Sequence, residues 1–485
     1  MSARAAPHRH LHQRPWHASR SGAILLSPRL EFPQDRSLAN PDPPIAMTIG
    51  RAVLLASLLG ASSASLSAQR ASTLGLATDP RIAQALTDIS PARLHTLDSM
   101  LVSFGTRHTM SDTLSATRGI GAARRYIHTQ LTRYSTDCGG CLRVEYDTGS
   151  AVVMRHPDRP TQHLMNVVAW LPGRDTSRVV VIGGHYDSCI CSINGMDSTA
   201  DAPGADDDGS GTVAVMELAH VTGKHFPRGL EASIAFVLYT GEEQGLLGST
   251  QFAERLRREG KTVTAAFTDD IIGNVTADDG RVDSTSVRVF AVDSLALGGS
   301  ELARYVWAIG ATYQPDFEVL PVLRLDRLGR GGDHRPFHLQ GYPALRFSER
   351  LENYKRQHLP TDTLADVNFG YVAKVARLNL ATVVSLAAAP PRPLRTAYAR
   401  DRESGGQSFQ IRWDASPGAA SYELLVRRTT APTYTRIVPV GNVTGFLLDE
   451  QLDDVWVGVR AVGADGHRSL TTVVGAPGGP QLPRS

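Results

Sequence analysis

The chain has 485 residues, with 50 Lys and Arg against 48 Asp and Glu, a net charge of +2. That length admits more than one domain, and the near-neutral balance gives no reason to invoke a nucleic-acid partner.

Residues 1–46 are rich in Arg, His and Pro and show no periodicity. They read as a non-native or disordered extension, so the histidines at 8, 10, 12 and 17 carry no metal hypothesis. Ala52-Val-Leu-Leu-Ala-Ser-Leu-Leu59 follows Arg51 and leads into small residues up to Ala68. This is a signal-peptide pattern over residues 47–68, beginning at Met47. Its apolar core is too short to span a membrane as a mature helix. The expectation is a secreted or periplasmic protein with no stable membrane insertion once the leader is removed.

Between residues 80 and 137, Ile82, Ala85 and Leu86, then Leu94, Leu97 and Leu101, recur at helical spacing. They predict a helical cover with a packing role. Four cysteines follow as Cys138-Gly-Gly-Cys141 and Cys189-Ile-Cys191. A structural zinc site is one reading, but an exported chain favours disulfides. The Gly-Gly spacer permits Cys138–Cys141. The short ring between Cys189 and Cys191 leaves a cross-pairing open.

Val179–Ile182 is a β-branched run, expected of a strand buried on both faces; it delivers His185 and Asp187. Ala202-Pro-Gly-Ala-Asp-Asp-Asp-Gly-Ser-Gly211 follows. Its three adjacent carboxylates repel one another unless something positive neutralises them. A calcium loop would alternate its acids and place Glu at the twelfth position, which this run does not. An apolar helical pattern runs from Thr212 to His220. A second strand, Ala232–Tyr239, delivers Glu242 and Glu243, and a helix covers Leu247–Arg258. A third, Val263–Phe267, delivers Asp269 and Asp270. A fourth, Pro343–Phe347, precedes His358.

Each of these groups has a plain alternative: a structural histidine, a solvated acidic loop, a surface Glu-Glu pair. Their recurrence after strands is the stronger signal. Alternating strand and helix predicts a mostly parallel sheet, whose ligands sit at the strands' carboxyl ends. Imidazole with carboxylate suits zinc.

These motifs, with Gly332-Asp-His334 and His358-Leu-Pro-Thr-Asp-Thr363, resemble metallopeptidase family 28. That family holds co-catalytic zinc aminopeptidases, glutamate carboxypeptidases and related glutaminyl cyclases. The resemblance covers roughly residues 80 to 390, with the motifs in family order. It implies a three-layer α/β/α zinc-peptidase domain over 75–389, two Zn2+ per chain and a peptide substrate. By motif, His185 and Asp270 would bind one zinc, Glu243 and His358 the other, and Asp207 would bridge both. Glu242 would be the general base, and Asp187 would hold the His185 ring. Asp333, His334 and Arg330 would line the substrate pocket. Arg324, Arg327, Arg330, Arg335 and Arg346 crowd the same stretch; they read as surface groups or as a grip on a substrate carboxylate.

The resemblance makes an aminopeptidase the first expectation. A carboxypeptidase or dipeptidase, a glutaminyl cyclase, and a non-catalytic binding protein are the alternatives. After a Pro-rich linker at 390–394, Phe409–Trp413, Ser421–Val426 and Val455–Ala461 alternate with period two. Residues 395–480 thus predict a small all-β sandwich. Trp413 and the flanking strand patterns resemble a fibronectin type III domain. A spacer or stabilising role is the default, and surface or carbohydrate contact is the other reading.

Overall fold

The computed structural model describes residue 76 and residues 78–476. The extension and leader read at 1–46 and 47–68 lie outside the described residues, as does the end of the sandwich beyond residue 476.

Three helices begin the described chain, at Pro80–Thr87, Pro91–Ser103 and Gly119–Asp137. The first two start on side-chain caps from Asp79 and Ser90, each with proline at the first turn. Ile82, Ala85, Leu86, Leu94, Leu97 and Leu101 are all buried, so the helical spacing marks a packed face.

Eight strands form the central sheet: β1 Arg143–Val152, β2 Thr161–Leu171, β3 Asp175–His185, β4 Ala232–Tyr239, β5 Thr262–Asp269, β6 Ser286–Ala291, β7 Glu318–Val322 and β8 Ala344–Glu349. Their order is β1-β2-β4-β3-β5-β8-β6-β7. The central run β4-β3-β5-β8 is parallel. β1 with β2, β2 with β4, and β6 with β8 pair antiparallel. The parallel rule therefore holds where helices make the crossovers. It fails at the β1–β2 edge, a hairpin that no helix separates, and at β6, which runs antiparallel to β8 but parallel to β7 at the far edge.

Residues alternate across the sheet into two cores. In β4, Ile234, Phe236 and Leu238 join one cluster while Ala235, Val237 and Tyr239 join the other. The Gly211–His225 and Phe369–Ala388 helices cover the first face, through residues such as Met216 and Leu380. Leu247–Arg258 covers the second through Phe252 and Leu256. This is the expected α/β/α layering. Phe369–Ala388 is apolar enough to cross a membrane, but 89% of that window is buried here; its apolarity serves the core.

Past the joint, seven strands make two antiparallel sheets, β13-β10-β9 and β12-β11-β14-β15. They are β9 Thr396–Arg400, β10 Phe409–Trp413, β11 Ala419–Arg428, β12 Arg436–Gly441, β13 Gly445–Leu448, β14 Val455–Gly463 and β15 Thr472–Val473. Trp413, Tyr422, Leu424 and Val459 share their own core. The Pro-rich joint is packed: Pro390 and Pro393 are buried, and Arg178 donates to the Ala389 carbonyl at 2.9 Å. Leu470, from the sandwich, belongs to the catalytic domain's core.

Candidate metal centre

β3, β5 and the turn after β4 bring their acids and histidine to one end of the sheet. β3 ends on His185, whose Nε2 lies 3.3 Å from Asp207 Oδ1 and 3.9 Å from Asp270 Oδ1. His358 Nε2 lies 3.1 Å from Asp207 Oδ2 and 3.2 Å from Glu243 Oε2. Asp207 thus offers one oxygen to each histidine. His185, Asp207 and Glu243 present ligand atoms within 4.8 Å of one another. Glu243 Oε1 is buried with no hydrogen-bond partner among the described residues, and Asp207 Oδ2 meets only the His358 ring there. Buried carboxylates facing imidazoles with unclaimed oxygens fit a metal.

The acidic triplet divides its labour. Asp208 accepts from the backbone N–H of His185 and of Gly211, each at 2.9 Å. Asp206 accepts from Gly273 N–H at 2.8 Å. Asp362 accepts from the N–H groups of Asp206 and Asp207 at 2.9 and 3.0 Å. The outer acids tie backbone, and the middle one faces the histidines across a cis Asp207–Asp208 bond. Arg107, buried, donates to the Tyr186, Pro203 and Gly204 carbonyls, joining the His185 loop to the acidic loop.

Alternation along β5 separates the next acid pair. Asp269 turns both oxygens to Asn379 Nδ2 at 2.6 Å. Asp270 turns to the cleft, 2.8 Å from Arg346 Nη2. Three of the four non-glycine residues with positive φ among the described residues flank the site: Leu246 at 60°, Ile271 at 61° and His358 at 57°. Such conformations are costly and collect where function fixes the backbone.

Protons and metal compete for the same groups. Burial would lower His185, but Asp207 and Asp270 outweigh it and raise it well above the usual imidazole range. Glu243 raises His358 to about 10, against its burial. Burial raises Glu242 to about 8, opposed by His185 and reinforced by Asp333, Asp270 and Asp187.

Two sequence expectations need correction. The Asp187 carboxylate does not take the His185 ring proton. The ring's Nδ1 lies 3.1 Å from Asp187's backbone carbonyl and 3.7 Å from its Oδ1. The chain turns there so that the carboxylate instead accepts from the N–H groups of Glu242 and Glu243, each at 3.2 Å, and from the Thr109 hydroxyl at 3.1 Å. Asp333 and His334 also lie behind the cleft. Both are buried, because His334 opens the His334–Leu339 helix with its ring facing inward. Its Nε2 contacts the Leu325 carbonyl at 2.6 Å, and burial lowers it to about 4.

Cys138 pairs with Cys141 and Cys189 with Cys191, so the cross-pairing is not formed. Cys189 also lies within 4.8 Å of Glu243 and His358 ligand atoms, but its sulfur is bonded to Cys191.

The cleft has a volume of about 450 Å³. Asp207, Glu242, Glu243, Asp270 and His358 line it, together with Arg155, Arg327, Arg330, Arg335 and Arg346. Arg155 and Arg107 were missed from the sequence, and nothing in their surroundings marks them. Asp362 was legible as the acid of the His358 motif.

Histidines and carboxylates converging at the strand ends of an α/β/α sheet define a metal centre of the kind metalloenzymes carry. A profile of Peptidase family M28 matches residues 166–383. A probable zinc metalloprotease of Pyrenophora tritici-repentis is 37% identical over 81% of this chain and 86% of its own length. One from Pyricularia oryzae is 37% identical over 81% and 84%. The LapA aminopeptidase of Legionella pneumophila shares the fold, with a TM-score of 0.51 at 19% identity over 64% of this chain and 76% of LapA. LapB of the same organism gives 0.52 at 21%, over 64% and 76%. The chain belongs to peptidase family M28 and is a zinc metallopeptidase.

Proposed function

We propose that this chain is an exported aminopeptidase that holds two zinc ions. Asp207 carries the reading, because its two oxygens face two different histidines. His185 and Asp270 would complete one site, Glu243 and His358 the other. When bound, the ions supply Lewis acidity toward the scissile carbonyl and make a nearby water more acidic.

The remaining work falls to the chain's own residues. Glu242 takes a proton from the attacking water and returns it to the departing amine nitrogen. Burial lifts its carboxyl to about 8, and two bound cations would pull it back toward the ionised form that a base needs. Asp187 holds the backbone of Glu242 and Glu243, fixing base and ligand together. His185 donates through Nδ1 to a backbone carbonyl, which turns Nε2 toward Asp207.

A cleft of about 450 Å³ suits a chain end better than a long peptide. The fold likeness to an aminopeptidase supports the amino end. Export rests on the leader pattern and agrees with two disulfides.

Purified protein assayed on aminoacyl-arylamides, N-blocked peptides and N-terminal-Gln peptides, with metal analysis, tests the reading. Release from free but not blocked amino ends, with two zincs per chain, is expected. Cyclisation of N-terminal Gln, or cleavage of blocked peptides from their carboxyl end, would replace it.

A further inference from the structure

The five arginines of the cleft are not equivalent. Arg346 is buried and pairs with Asp270 at 2.8 Å and Asp326 at 3.4 Å. Arg327 pairs with Asp326 at 3.0 Å and Glu352 at 2.7 Å. Arg330 donates to Gln357 at 2.7 Å and reaches Glu352 at 3.5 Å, a carboxylate already held by Arg327 and Arg288. Among the described residues Arg155 donates only to the Glu243 backbone carbonyl, at 3.2 Å. The Arg335 guanidinium has no hydrogen bond or ion pair among the described residues. Both are exposed, and both line the cleft.

The acids of the cleft do not need them. Four carboxylates, from Asp207, Glu242, Glu243 and Asp270, would be matched in charge by two divalent ions. These two guanidinium groups, neither paired with a carboxylate among the described residues, are therefore surplus positive charge within a confined cleft, where field lines concentrate on an anionic ligand. A guanidinium fork fits a carboxylate bidentately.

We propose that Arg335 and Arg155 recognise a carboxylate on the substrate, making this a peptidase for short or acidic peptides. The inference rests on the aminopeptidase reading for the position of the cut. The anion has two sources of the same chemistry: the free carboxyl end of a dipeptide, or the side chain of an Asp or Glu after the scissile bond.

Four substrates separate them: Leu-Ala, Leu-Ala-amide, Leu-Glu-amide and Leu-Gln-amide. For the wild-type protein, kcat/KM is expected to be at least about tenfold higher for Leu-Ala than for its amide if the chain end is read. The same ratio is expected for Leu-Glu-amide over Leu-Gln-amide if the side chain is read. Arg335→Ala and Arg155→Ala should each shrink the favoured ratio, and the double variant should bring it near one. Raising salt from 0.05 to 0.5 M should shrink it in the wild type, where the fold is not in question.

Binding of the same four peptides to Glu242→Gln protein by calorimetry gives a readout independent of turnover. Equal wild-type kcat/KM for both acid–amide pairs overturns the carboxylate inference and leaves the aminopeptidase standing. Ratios that survive in the folded double variant also overturn it. No hydrolysis of any of the four, with blocked peptides cleaved instead, overturns the underlying reading.

Discussion

The cleft is lined by two sets of side chains, an acidic side and a basic side in chemistry, built on different principles. The acidic side comes from strand ends and the turns after them, with its backbone tied by Asp187, Asp208 and Asp362. Its carboxylates face the His185 and His358 rings, a donor set that zinc would neutralise. The basic side comes largely from the loop between β7 and β8, and most of its charges are already answered by Asp326 and Glu352. One side is completed by metal, the other by protein. Chemistry should therefore fail on the first side without unfolding the second, and the reverse should hold for stability.

Removing metal gives the largest effect. Chelation should abolish peptidase activity, and zinc should restore it. The melting temperature should fall too, as the buried carboxylates lose their counter-charge. Activity persisting in protein shown to be metal-free would break the comparison. Next, Glu242→Gln should lower kcat by about 10²–10⁴-fold with zinc retained, because it removes the proton acceptor and keeps the shape. Loss of zinc along with the rate would make Glu242 a ligand.

The basic side is tested by stability. Glu352 is buried, which would raise it, but Arg327, Arg288 and Arg346 outweigh burial and hold it at about 2. Its folded value lies below the usual carboxylate value. Its contribution is thus complete above pH 5 and lost as pH falls toward 2. Glu352→Gln should cost on the order of 3–5 kcal/mol at pH 7 by denaturant titration. The gap from wild type should close toward pH 2; a gap constant with pH would refute the ion-pair account. Smallest is Asp187→Asn, which weakens the hold on the Glu242-Glu243 turn. About a tenfold fall in kcat/KM is expected, with metal content as the check that the loss is positional.

The acidic side was legible because each group follows a strand with a clear apolar pattern, and strand ends converge. Asp270 could be separated from Asp269 by motif, and alternation along β5 supplies the physical reason. The basic side was legible only as a crowd of arginines. Which of them stays free depends on Asp326, Glu352 and Gln357 finding partners across loops, and no periodicity encodes that. Asp187 was given the right neighbourhood but the wrong partner, since a two-residue turn decides whether backbone or side chain meets the ring. The antiparallel β1–β2 edge escaped notice because the strand-helix alternation is silent where a hairpin replaces a helix.

The seam between the sheets of the C-terminal part and the Gly299–Tyr313 helix has a practical consequence. Leu470 is 1% exposed and sits in the catalytic core. The Tyr305 hydroxyl reaches the Arg468 carbonyl at 3.3 Å, and Arg304 donates to the Pro432 carbonyl at 2.6 Å. A premature stop codon or a protease nick at the Pro-rich joint would remove none of the groups in the cleft. It would still strip Leu470 from its socket and uncover the core residues clustered with it, inviting aggregation. Truncations made to isolate the peptidase would then report on solubility, and a nonsense variant this late in the gene would behave as a null.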